Sequence, residues 1–314
     1  MEFAGLLGNE ELKKRLSVSF GKGKHPHCCM ICGPEGSGKK TLARQIAKAL
    51  QCRSQAAPCE TCNVCRKVEN GIHPDVIIVD DPEKKTVGVE LIRNLQSDAF
   101  VHPNEGAFKI YVIPRAHLMT DSAQNALLKL IEEPPFYAVF LLLTTGAEKL
   151  LSTVRSRSVE LRMQPVLWNE AAVWLKQQCP GSEEQTLQAA HLRCGGFLGQ
   201  TVAYVRAEDE LPQTKRFVQV FAGGDRFELA ALTASMEKMP RDQVLACFGQ
   251  WKQSLTDALM VRSGLPGPSV IVQLGRQRTA QDLAQAAQTV QTAMELCAAN
   301  VGIGHICGWL AVSL

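Results

Sequence analysis

Short apolar runs alternate with helix-like stretches through the first half of the chain. The runs Cys28–Cys32, Val76–Val79, Ile110–Ile113 and Val139–Leu143 are strand-sized, and Val159–Leu161 is a weaker fifth. Between them, Thr41–Leu50, Val89–Leu95 and Asp121–Glu133 have helical composition, and Pro134-Pro135 stops the last because proline lacks the N–H that would continue it. Strands alternating with helices predict βαβ units and a parallel sheet. After Pro165 the strand signals fade. Asn169–Gln178 and Glu183–Cys194 read as helices, the second ending at Gly195-Gly196, a C-cap signature. From Pro212 onward the pattern is helical, broken at Gly223-Gly224, Pro240 and Gly264–Pro268.

The length of 314 residues fits two or three domains, and 46% apolar content supplies each with a core, which excludes disorder across the chain. A formal net charge of +3 is too small for a protein that coats nucleic acid. The excess is local: residues 1–165 hold 22 basic and 18 acidic side chains. No apolar run approaches the roughly 18 residues of a membrane span, and the charged start has no signal-peptide core. These features predict a cytoplasmic protein with no membrane partner.

Two segments carry candidate chemistry. Residues Gly33-Pro-Glu-Gly36-Ser-Gly38-Lys39-Lys40-Thr41 follow the first strand and open a helix, the setting of a phosphate-binding loop. The glycines let N–H groups at the helix start face phosphate oxygens, and Lys39 can reach the outer phosphates. The alternative is a glycine-rich turn without a ligand. Lys40 stands where a magnesium-binding Ser or Thr is expected, with Thr41 one place late, so the residues put ATP and magnesium binding in doubt. The strand Lys109–Ile113 runs into Pro114-Arg115 where hydrolysis would need a carboxylate. Asp80-Asp81, after the second strand, is the competing acidic pair, against the plainer reading of a strand entering a solvated turn.

The second segment is Cys52-x6-Cys59-x2-Cys62-x2-Cys65. Four soft ligands at this spacing, in a chain read as cytoplasmic, predict a closed tetrahedral zinc site with a structural role. An iron–sulfur cluster and unliganded thiols are the alternatives. The other eight cysteines read as core filler.

Together these residues resemble the clamp-loader branch of the AAA+ proteins, and within it the delta-prime subunits of bacterial DNA polymerase III. The resemblance rests on Leu6-Leu7-Gly8-Asn9, the cysteine cluster after the phosphate-loop helix, and Gly71-Ile-His-Pro-Asp75 before the second strand. It continues through Asn125–Pro135 and Thr153-Val-Arg-Ser-Arg157-Ser158. It implies an α/β AAA+ (P-loop NTPase-like) parallel-sheet module with a zinc insertion at about 52–65 in residues 1–165. A small helical lid at 166–208 and an all-α collar at 209–314 would follow.

Ser156-Arg157-Ser158 falls on the serine–arginine–cysteine motif of the family. This implies that Arg157 is an arginine finger offered in trans to ATP on a neighbouring subunit. Lys40, Pro114-Arg115 and Gln200, at the expected place of the lid's sensor arginine, depart from the pattern of an active ATPase. The family implies gamma/tau and delta subunits as partners, with the sliding clamp and primer–template DNA reached through the assembly. Two rival readings stand beside it: an autonomous P-loop ATPase using Lys39, Thr41 and Asp80/Asp81, and a zinc-dependent nucleic-acid-binding module. The second is poorly served by an aromatic content of 6%.

Overall fold

The protein is described here by a computed structural model covering all residues except 1, 2, 4, 22–24, 55, 207–210 and 266, and excluding the side chains of residues 20 and 21. The first part runs α1 (Glu10–Gly21), β1 (Cys28–Cys32), α2 (Lys39–Gln51), α3 (Asn63–Glu69), β2 (Val76–Ile78) and α4 (Val89–Ala99). It continues with β3 (Lys109–Ile113), α5 (Asp121–Glu132), β4 (Ala138–Thr144), α6 (Ser152–Arg155) and β5 (Val159–Arg162). The rest is helical: α7 (Trp168–Gln178), α8 (Glu184–Arg193), α9 (Leu198–Arg206), α10 (Pro212–Gly223), α11 (Arg226–Ser235), α12 (Arg241–Arg262), α13 (Ser269–Gln277), α14 (Ala280–Ala298) and α15 (Ile303–Ser313).

The five strands form one sheet in the order β2-β3-β4-β1-β5, with every pairing parallel. All five apolar runs are therefore strands, and the anticipated α/β parallel-sheet module followed by helices is the observed fold class. Strands β1, β3 and β4 are buried along their whole length because helices cover both faces of the sheet. Side chains alternate between two cores. Cys29, Ile31, Ile110, Val112, Val139 and Leu141 pack with Leu12 and Leu16 of α1 and Leu42 and Ile46 of α2. Met30, Tyr111, Ile113, Phe140 and Leu142 pack with Ile92 and Leu95 of α4 and Leu127 and Leu130 of α5. The two-residue period of the strands thus sorts one continuous apolar run onto two faces.

The chain divides into two compact units. One comprises Met1–Ala171 with Gly195–Gln200, the other Ala172–Cys194 with Thr201–Leu314. The second has its own core around the fully buried Trp251, on which Phe217 stacks at 4.1 Å between ring centroids. Both Gly195 (φ +59°) and Gly196 (φ +80°) take the left-handed conformation that ends α8, as their position predicts. The chain then re-enters a helix, α9, which the sequence pattern does not announce. The expected boundary near residue 208 falls outside the described residues. Among the described residues, no helix is long and apolar enough to cross a membrane.

Candidate functional site: phosphate loop, cysteine cluster and exposed arginine

The glycine loop expected to bind phosphate leaves β1, the interior strand between β4 and β5, and ends in the N-terminus of α2. Gly36 (φ +69°) and Gly38 (φ +91°) adopt left-handed conformations that side chains rarely take, and Gly38 is the N-cap of α2. Lys39 folds back over its own loop, donating from Nζ to the carbonyls of Gly33 (2.6 Å) and Pro34 (2.7 Å). Burial lowers the pKa of its ammonium. Thr41 is the third residue of α2 and is half-buried.

Three buried polar atoms lie at the C-terminal ends of β1, β3 and β4 without a hydrogen-bond partner in the chain: Ser37 Oγ, His117 Nδ1 and Thr145 Oγ1. Burial, followed by the charges of Lys149 and Lys39, lowers the pKa of His117. Unpartnered buried polar groups are costly, and all three lie in the loops that follow neighbouring strand ends on one edge of the parallel sheet.

Gly199 and Gln200 lie against this glycine loop. The Gly199 N–H donates to the Gly36 carbonyl at 2.9 Å. A Cβ on Gly199 would lie 2.7 Å from both Cα and O of Gly36, and one on Gly36 would lie 2.5 Å from the Gln200 nitrogen. Both residues thus approach Gly36, and at Gly199 no side chain fits without displacing backbone.

At the expected metal-holding position the structure places a cation. Register pairs Ile78 of β2 with Val112 of β3, so Asp80 and Arg115 leave adjacent strand ends side by side. Arg115 donates from Nε (2.9 Å) and Nη2 (2.7 Å) to Asp80 Oδ1, and also to the carbonyls of Asp81 and Lys84. Asp80, the competing acid, is therefore engaged by the arginine that replaces the expected carboxylate. This pairing was readable in principle from an acid after one strand and a base after the next, but the sequence does not say that the two strands are neighbours.

The four cluster cysteines converge. Their sulfurs all lie within 4.8 Å of one another, and Cys52 and Cys62 are 3.9 Å apart. Tetrahedral zinc with bonds of about 2.3 Å separates its sulfurs by about 3.8 Å, so the donor set fits one zinc ion. The geometry is built locally: Cys52 is the C-cap of α2, and Cys62 is the N-cap of α3, its sulfur accepting from Cys65 N–H at 3.4 Å. Backbone N–H groups of Thr61 and Cys62 pull the Cys59 thiol down to about 6, whereas burial pushes Cys65 up to about 12.

The cluster is tied to the phosphate-loop helix by Lys48, which is only 3% exposed. Its ammonium pairs with Glu60, between Cys59 and Cys62, and with Glu69 at 2.5 Å. Gln45 adds a 2.8 Å bond to Glu60. The sequence reading missed Lys48, Glu60 and Glu69; the one local signal is the i, i+3 spacing that puts Gln45 and Lys48 on the same side of α2.

Arg157 lies beyond α6 at the start of the edge strand β5. It is 40% exposed, pairs with Glu132 (Nη2 to Oε1, 2.8 Å) and donates from Nη1 to Thr153 O at 3.1 Å. Ser158, at the family's cysteine position, is held inward by Val154 O (2.8 Å) and Cys28 Sγ (3.2 Å).

Comparison with known proteins gives the family. Residues 8–167 match the profile described as DNA polymerase III, delta subunit. The chain is 35% identical over 269 residues to DNA polymerase III subunit tau of Escherichia coli (strain K12), covering 83% of this chain and 38% of that protein. It is 36% identical over 163 residues to the gamma subunit of Buchnera aphidicola subsp. Schizaphis graminum, covering 51% and 44%. The chain thus spans less than half the length of these curated relatives. Among solved structures, a DNA polymerase III gamma-subunit-related protein of Thermotoga maritima aligns over 95% of this chain and 97% of its own, with TM-score 0.46 and 17% identity. The Bacillus subtilis DNA clamp loader delta protein aligns over 95% and 98%, with TM-score 0.36 and 11% identity. Because the matched profile takes in half of the residues, including the phosphate loop, the cysteine cluster and the Arg157 segment, the chain belongs to the DNA polymerase III delta subunit family of clamp-loader proteins.

Proposed function

We propose that this chain is a delta-prime-type stator of the DNA polymerase III clamp loader. In this reading it assembles with gamma/tau and delta subunits and supplies Arg157 in trans to ATP bound by a neighbour. The assembly then loads the sliding clamp on primed DNA. The observation that carries the proposal is the Asp80–Arg115 pair: the strand end that would hold magnesium presents a guanidinium with its nearest acid already engaged. Arg157 is exposed enough to meet another subunit, and a guanidinium there neutralises charge developing on the transferred phosphoryl group. The four cysteines hold a structural zinc, and residues 166–208 and 209–314 serve as the lid and collar of the ring subunit.

The test is a reconstituted assembly assayed for DNA-stimulated ATP hydrolysis with and without this chain. Arg157→Ala is expected to lower the rate while co-purification persists; an unchanged rate removes the finger assignment. The autonomous-ATPase reading keeps one support, the retained Lys39 loop in a chain whose curated relatives are named gamma and tau. It requires magnesium-dependent turnover by the isolated chain that Lys39→Ala abolishes; the stator reading expects none.

A further inference from the structure

We infer that Glu132 is a positioning residue for Arg157, fixing the guanidinium so that it is presented outward in a defined orientation; this rests on the proposed finger role of Arg157. Helix α5 grips the Arg157 segment at both ends. At its N-terminal half, Gln124 is buried and accepts the Leu151 N–H at 2.7 Å, fixing the start of α6. At its last residue, Glu132 accepts from Arg157 Nη2 at 2.8 Å. Between these points Val154 is fully buried, so the backbone leading to Arg157 is anchored in the core.

The guanidinium is thereby held on two sides. Nη2 meets Glu132, and Nη1 meets Thr153 O and Ser156 Oγ at 3.1 and 3.3 Å, while 40% of the side chain faces solvent. An arginine free to sample its rotamers would spend little time in any single orientation, whereas one pinned by two edges keeps its remaining donors aimed one way. The placement of Glu132 supports the same conclusion. A carboxylate in the last turn of a helix faces the negative end of the helix dipole and is unfavourable there unless a cation compensates it. Pro134 ends α5 immediately after, which keeps this acid at the terminus beside Arg157.

The test uses the reconstituted assembly and measures kcat and KM for ATP with wild type, Arg157→Ala, Glu132→Ala, Glu132→Gln and the double variant. The rate lost in Arg157→Ala defines the Arg157-dependent part. Glu132→Ala is expected to lower that part roughly two- to fivefold, the effect an exposed charge pair supports, with KM unchanged. Glu132→Gln, which still accepts a hydrogen bond, should recover at least half of the loss, and the double variant should be no slower than Arg157→Ala alone. An unchanged rate in Arg157→Ala overturns the finger reading and this inference with it. A rate lowered by Arg157→Ala but unchanged or raised by Glu132→Ala overturns the positioning role alone, as does an additive double variant.

Discussion

Asp75 is the residue whose replacement the structure translates most directly into a measurable loss. It sits in the Gly71–Asp75 segment, is fully buried and receives four donors. Oδ1 accepts from Asn104 N (2.6 Å) and Nδ2 (3.2 Å), and Oδ2 from Glu105 N (2.8 Å) and Gly106 N (2.7 Å). Asp75→Asn keeps the shape but puts an NH2 group against at least one backbone N–H and removes the charge from the remaining bonds. Hydrogen bonds to a charged group contribute about 1.5–3 kcal/mol each, and an unsatisfied buried donor costs about 1–3 kcal/mol. Allowing for the exposed Asn104 to turn to water, the expected loss is about 2–4 kcal/mol, read as a lower urea midpoint at pH 7.

Amide exchange in residues 104–106 should quicken by roughly 30- to 1,000-fold, the same energy expressed as a rate ratio. The pH dependence fixes the cause. Burial works to raise the Asp75 pKa, but the N–H groups of Asn104, Glu105 and Gly106 prevail and lower it from the ordinary 3.8. A lowered folded-state value means the stabilisation is complete above about 4 and is lost as pH falls through that lowered value. The gap between wild type and Asp75→Asn should therefore stay constant from pH 8 to about 4 and narrow only below. A gap under about 0.5 kcal/mol at pH 7, or one already closing between pH 7 and 5, would refute the reasoning.

Metal analysis of the purified chain should find about one zinc per molecule, and Cys62→Ser, which removes both a ligand and the α3 N-cap sulfur, should abolish it; full retention would disprove the ligand set. Gly199→Val drives a branched side chain into the Gly36 backbone and is expected to cost about 1–3 kcal/mol, with faster proteolysis around residues 195–200; an unaltered melting temperature and cleavage pattern would show that the contact is not held in solution.

How much of this was legible beforehand depends on the range of each interaction. All five strands lie within a residue or two of their expected ends; for β1, β3 and β4 the reason is that burial of an interior parallel strand demands a continuous apolar run that the sequence displays directly. Helix α3 was hidden inside the cysteine cluster, where ligand spacing and helical periodicity compete over seven residues. Helix α9 was missed because Gly195-Gly196 ends one helix without indicating that another follows.

The sequence by itself determined the local chemistry: the glycine loop before α2, the cysteines close enough in the chain that two helix ends bring them together, and a Pro114-Arg115 pair directly after β3. What the tertiary structure alone decided are the pairings across strands and helices. Arg115 answers Asp80 because β2 and β3 are neighbours in register, Gly199 meets Gly36 because the 195–200 segment packs within the same unit as the loop, and Arg157 meets Glu132 because α5 and α6 pack. Each of these is a contact between residues far apart in the chain. Local periodicity constrains which face a side chain takes, but the partner on that face is chosen only when the whole core is packed.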